Sequence, residues 1–130
     1  MIHLTVVTPE RKVVDRRVDE VVLPGVQGYL GVLPGHAPLL TSLTVGEITY
    51  RQGAESHFVA VAWGFVEVHD DQVSVLADVA ERAEEIDLDR ARRARDRAAE
   101  RLRKGGDMDW DRARAALDKA IIRIRIAEKA

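Results

Sequence analysis

The stretch "HFVAVAWGFVEVHDDQVSVLAD", residues 57–78, decides the fold of this chain. Its first part is rich in valine and aromatic residues, and "VSVLAD" follows after His69-Asp70-Asp71-Gln72, which reads as a polar hairpin turn between two strands. Upstream, "IHLTVV" puts Ile2, Leu4 and Val6 on one face at period two. Val13-Val14, Val21-Val22-Leu23 and "EITYR" supply more short strands. Turns fall at Thr8-Pro9, Pro24-Gly25, Pro34-Gly35 and Gln52-Gly53. Many short strands with frequent turns indicate an antiparallel sandwich or flattened barrel, and nothing resembles a strand–helix–strand alternation.

Downstream of that hairpin the chain changes character. Residues 1–80 carry five Lys/Arg and ten Asp/Glu, whereas residues 81–130 carry fifteen and twelve. Such a shift marks two structural regimes. In "EEIDLDRARRARDRAAERLRK", Ile86, Ala91, Ala94, Ala98 and Leu102 recur at spacings near three and four, as on one helix face. Gly105-Gly106 ends that helix, and Asp107 or Asp109 caps a second, "WDRARAALDKAIIRIRIAEK". Trp110, Ala113, Leu117, Ala120, Ile121 and Ile124 form its expected stripe. Ile122 and Ile126 fall off it, for the sandwich or for a partner. Small alanines allow the two axes to approach, so an antiparallel helical hairpin is expected. The fold class is therefore α+β, with a β-sandwich over residues 1–84 and a two-helix tail over 85–130.

Composition excludes several functions. The 130 residues contain no cysteine, so thiolate metal sites and thiol nucleophiles are absent. The longest apolar runs are too short and interrupted to span a bilayer. The start, "MIHLTVVTPERKVV", shows no secretion signal, which suits a soluble cytoplasmic protein. Basic residues alternate with acidic ones without interleaved aromatics, so nucleic-acid binding is not expected.

The glycine-rich run "GYLGVLPGHAPLL", residues 28–40, invites a phosphate-loop reading and fails it. His36 follows Gly35 where lysine is needed, and Pro38 comes at once where a helix should begin. Apolar Tyr29, Leu30, Val32 and Leu33 between the glycines suggest a displayed docking surface. His36 has no Ser, Asp or Glu beside it, which favours a turn or interface histidine over a catalytic base. His3, His57 and His69 lack a ligand spacing, so no metal site is expected. Asp87 and Arg90 sit one turn apart on the first helix. They read either as a surface ion pair or as part of a small-molecule site, with a carboxylate for a base amino group and Ala91 leaving room for a flat ring.

Together these residues resemble the epsilon subunit family of the bacterial rotary, F-type, ATP synthase. The resemblance rests first on "GYLGVLPGHAPLLTSLTVGEI", with Gly31, Pro34, Gly35, His36, Ala37, Pro38, Leu39 and Leu40 in order. "VTPERKV" (7–13) and "VAVAWGFVEV" (59–68) also look family-like. The resemblance implies a sandwich of about ten strands and a helical hairpin. It implies a non-catalytic rotor subunit, held to the cytoplasmic face of the membrane through its complex, whose sandwich binds the gamma subunit and the c-ring. Tyr29, Leu30, Val32, Leu33, His36 and Leu39 would supply that interface; many relatives carry an acidic residue where Tyr29 stands. The tail would inhibit ATP hydrolysis by extending towards the beta and alpha subunits. No cofactor is required, but ATP as a regulatory ligand is implied by Ile86, Asp87, Arg90 and Ala91, with Arg123 on the second helix. Lys119 stands where ATP-binding relatives have arginine. The rival reading is a stand-alone nucleotide-sensing or helical-hairpin interaction module.

Overall fold

The computed structural model describes residues 1–129. Eight strands come first: β1 (Ile2–Val7), β2 (Lys12–Val18), β3 (Glu20–Gly25), β4 (Gly28–Val32), β5 (Leu39–Leu43), β6 (Gly46–Gln52), β7 (Glu55–His69) and β8 (Gln72–Arg82). A single 3-10 turn (Ala83–Glu85) leads into α1 (Leu88–Lys104) and α2 (Trp110–Ala127). The strand-built part thus ends with β8 at Arg82, and the helical part follows it.

The strand count is eight, not about ten, and the reason lies in β7. It runs for 15 residues through a bend at Trp63 and Gly64, whose φ angles are 53° and 138°. Before the bend it pairs with β6, from Gln52↔Glu55 to Gly46↔Val61. Beyond it, β7 pairs with β5, from Leu43↔Gly64 to Leu39↔Val68. One continuous strand, paired with β8 from Val59↔Arg82 to His69↔Gln72, thus serves both parts of the sandwich. Only glycine fits at the bend, because a Cβ on Gly64 would lie 2.0 Å from the Leu76 carbonyl oxygen. The sheet is also not wholly antiparallel: β1 pairs with β8 in parallel, from His3↔Gln72 to Val7↔Leu76.

The main core follows the period-two pattern. Ile2, Leu4 and Val6 are fully buried against Val18, Val21, Leu23, Ile48, Val59, Val66 and Val75. Each such side chain contributes about 1.5–3 kcal/mol relative to leaving it in water. The turn after β1 is tied by Thr8, whose hydroxyl accepts from the backbone N–H groups of Glu10 and Arg11 at 3.3 and 3.2 Å. That accounts for the threonine of the "VTPERKV" segment.

The helices begin and end as capping chemistry requires. Asp87 caps α1, its Oδ1 accepting from the Arg90 N–H at 3.1 Å. Gly105, at φ 67°, closes that helix. Asp109 rather than Asp107 caps α2, accepting from the Arg112 N–H at 3.0 Å. Alanines 91, 98, 113 and 120 are buried. They let the helices pack closely. The α2 stripe departs from expectation: Trp110 and Ile121 are exposed, while Ile126 is fully buried. The helix serves two neighbours, so its apolar face must widen beyond one stripe. Ile124 and Ile126 join Ala60, Ala83, Ile86 and Ala91 in a second, smaller core, against which Phe58 and Ile122 also pack.

Candidate functional site

The run of residues 28–40 forms β4, a tight turn and the start of β5. Gly35 has φ 83°, and its N–H donates to Asp71 Oδ1 at 2.7 Å, pinning the turn to the β7–β8 connection. His36 closes the turn, its N–H donating to the Leu33 carbonyl at 3.2 Å. Its Nδ1 donates to the Ala37 carbonyl at 2.7 Å, which assigns the ring a conformational task. Tyr29 and Leu33 are well exposed, whereas Leu30 and Leu39 pack on the core. Val32 is buried at 1% exposure and belongs to the core, not to a displayed surface. Period two within β4 turns it inward opposite Val21.

The structure adds an apolar face that the sequence reading missed. Leu40 on β5, Phe65 on β7 and Leu76 on β8 are 69%, 56% and 60% exposed. Phe65 lies opposite Leu76 across one pairing and opposite Ser42 across the other, two residues from Leu40. They therefore occupy one outer face of three adjacent strands. The signal was present: in "GFVEV" the inward phase belongs to Val66 and Val68, so Phe65 stands where a polar residue is expected.

At the junction of sandwich and hairpin, Glu85 collects two guanidinium groups. Arg11 Nη1 and Nη2 donate to its two oxygens at 2.8 and 2.6 Å, and Arg82 Nε donates at 2.9 Å. The Arg11 hydrogen bonds first, then those from Arg82, hold the Glu85 carboxyl down to about 2 against the cost of partial burial. The tail is tied down further along α2. Arg123 donates to both oxygens of Glu81 at 2.7 and 3.3 Å, a planar fork on a carboxylate. Lys129 donates to Glu47 at 2.6 Å. Neither pair carries a local sequence signal, since 42 and 82 residues separate the partners.

The residues expected to hold ATP are divided among other tasks. Ile86 and Ala91 are buried in the second core, and the Asp87 carboxylate caps α1. Arg90 is exposed, Lys119 is half-buried and Arg123 faces Glu81. Lys119, Arg123, Ala60, Val79 and Glu81 surround a void of about 10 Å³. That is far below the few hundred Å³ of a small-molecule pocket. A larger cleft of about 450 Å³ opens between Thr44, Trp63 and the α2 residues Asp111, Arg114 and Arg125. None of the six expected residues lines it. Among the described residues, no group of three His, Cys, Asp or Glu is placed to hold a metal. No described helix is long and apolar enough to cross a membrane.

A strand-built head with an exposed apolar face, followed by a helical hairpin fastened to it through ion pairs, defines a two-part α+β chain. The two parts match separately: residues 1–83 match the beta-sandwich domain of the ATP synthase delta/epsilon chain, and residues 84–128 match its long alpha-helix domain. The chain belongs to that family. It is 46% identical over 132 residues to the ATP synthase epsilon chain of Citrifermentans bemidjiense, covering 99% of this chain and 95% of that one. It is 50% identical over 101 residues to the epsilon chain of Koribacter versatilis, covering 78% and 71%. Among solved structures, it resembles a chain of the Euglena gracilis mitochondrial ATP synthase with TM-score 0.83 at 22% identity, covering 98% of this chain and 81% of that one. A chain from the central stalk and c-ring of the Tetrahymena thermophila mitochondrial ATP synthase matches with TM-score 0.59 at 18% identity, covering 98% and 94%.

Proposed function

We propose that this protein is a non-catalytic rotor subunit whose sandwich clamps onto a gamma-type shaft and a c-ring, while its helical tail regulates ATP hydrolysis. The observation that carries the docking half is the outer face of Leu40, Phe65 and Leu76, three large apolar side chains left in water on adjacent strands. Burying them against a shaft removes apolar area from water, the main driving force of such association. Tyr29 and Leu33 extend the contact towards the c-ring, so the subunit is peripheral to the cytoplasmic side of the membrane through its complex. Co-purification tests this reading: the full chain recovers gamma in equimolar amount, and Phe65→Glu with Leu76→Glu abolishes recovery. Equal recovery by that variant sinks it.

The regulatory half uses the hairpin. Packed on the sandwich, it leaves hydrolysis unimpeded. Released, its basic helices reach the alpha and beta subunits and obstruct rotation. Support comes from the hairpin's separate, smaller core and from the ion pairs that fasten it. ATP acts as a ligand of the packed state. A phosphate would take the place of Glu81 on the Arg123 fork, and the small void beside Lys119 would widen to admit it. At ten times its Kd, such a ligand stabilises the packed state by about 1.4 kcal/mol. Calorimetric titration with MgATP checks this, and absence of heat at millimolar nucleotide removes the sensor role.

A further inference from the structure

Glu47 stands where three parts of the molecule meet. Its backbone N–H, near the start of β6, donates to the Tyr29 hydroxyl at 3.1 Å. Its Oε1 accepts from Lys129 Nζ at 2.6 Å and from the Thr49 hydroxyl at 3.4 Å. The Lys129 ammonium also lies 4.7 Å from the centre of the Phe58 ring, where the face of the ring attracts a cation. The Glu47 side chain is only 13% exposed, so this pair is less screened than one in open solvent. The adjoining Gly46 makes the arrangement possible. A Cβ there would lie 2.7 Å from the Tyr29 oxygen and 2.5 Å from Pro24 Cβ, so only glycine lets the hydroxyl approach β6.

We propose that Glu47 is the post of an ionic latch: Lys129, just past the end of α2, closes on Glu47 and Phe58, and Tyr29, exposed on β4 of the head, positions Glu47 to receive it. This rests on the reading of the hairpin as a releasable tail. Because Tyr29 is 59% exposed, whatever covers this face of β4 touches the same ring whose hydroxyl accepts from the Glu47 N–H. Docking of the head and release of the tail thereby share one residue.

Hydrogen exchange of the full-length protein tests the latch. Glu47→Gln and Lys129→Gln each raise exchange in the last turns of α2 by about threefold to tenfold, the range for losing one shielded ion pair with its ring contact. The double variant exchanges no faster than the faster single variant, because only one interaction is there to lose. Raising KCl from about 50 to about 500 mM loosens the wild-type tail and leaves Lys129→Gln nearly unmoved. Tyr29→Phe, which keeps the ring and removes the hydroxyl, gives about a twofold rise. Unfolding midpoints near wild type for all variants separate latch loss from misfolding. Wild-type exchange in both single variants, multiplying effects in the double, or no change in Tyr29→Phe overturns the proposal. Gamma capture measured in parallel stays apart from it: failure of the wild-type chain to recover gamma would sink the rotor reading and leave the exchange result standing.

Discussion

Gly64 shows how much one residue can settle. It sits at φ 138° beside the Leu76 backbone, and a methyl group there would collide with main chain instead of a yielding side chain. Gly64→Ala is expected to destabilise the protein by about 3 kcal/mol or more, read from urea unfolding, because strain and overlap act together. Glu85 makes a different kind of prediction. Its carboxyl is lowered from 4.5 to about 2 in the folded chain by Arg11 and then Arg82. The folded state thus binds its proton less readily than the unfolded one. The stabilisation is complete above about pH 4.5 and disappears as pH falls towards 2. Thermal melts of wild type and Glu85→Gln should therefore differ at pH 7 and converge in acid. A constant gap across that window would show that the charge at Glu85 does not matter.

Among the elements, α1 separates capping from charge. Asp87 accepts from the Arg90 N–H, an acceptor role that asparagine also fills. Asp87→Asn should leave the melting temperature nearly unchanged, while Asp87→Ala costs about 0.5–2 kcal/mol. If MgATP stabilises wild type but not Asp87→Asn, the carboxylate has a ligand task beyond the cap. α2 teaches what periodicity can and cannot show. A spacing of three and four located the helix, yet placed Trp110 and Ile121 inside and left Ile122 and Ile126 unassigned. The structure exposes the first two and buries Ile126 completely. A helix touching both α1 and the sandwich uses two overlapping faces, and no single stripe describes that. In the strands the same limit appeared as Val32, grouped with the displayed apolar residues although its phase turns it into the core.

For the whole molecule, the decisive feature is that there are two cores. The sandwich interior is complete without the helices, and the second core lies between β7, the 3-10 turn and the hairpin. A chain cut after residue 85 should keep a cooperative thermal transition and still capture gamma. A truncated chain lacking near-native strand signal by circular dichroism would contradict the independence of the head.

Period-two alternation, turn residues and the charge shift near Glu81 sufficed for a strand-built head and a two-helix tail, because each is written in neighbouring residues. Asp109 as one of two candidate caps for α2 and Gly105 as a stop for α1 were legible for the same reason, whereas the capping role of Asp87 emerged only in the structure. Folding alone decided the rest. It ran β7 through its bend as one strand, set β1 parallel to β8, and gathered Leu40, Phe65 and Leu76 on one outer face. It also brought Arg123 to Glu81 and Lys129 to Glu47. Contacts between residues far apart in sequence leave no local pattern; they exist only once the chain has closed on itself.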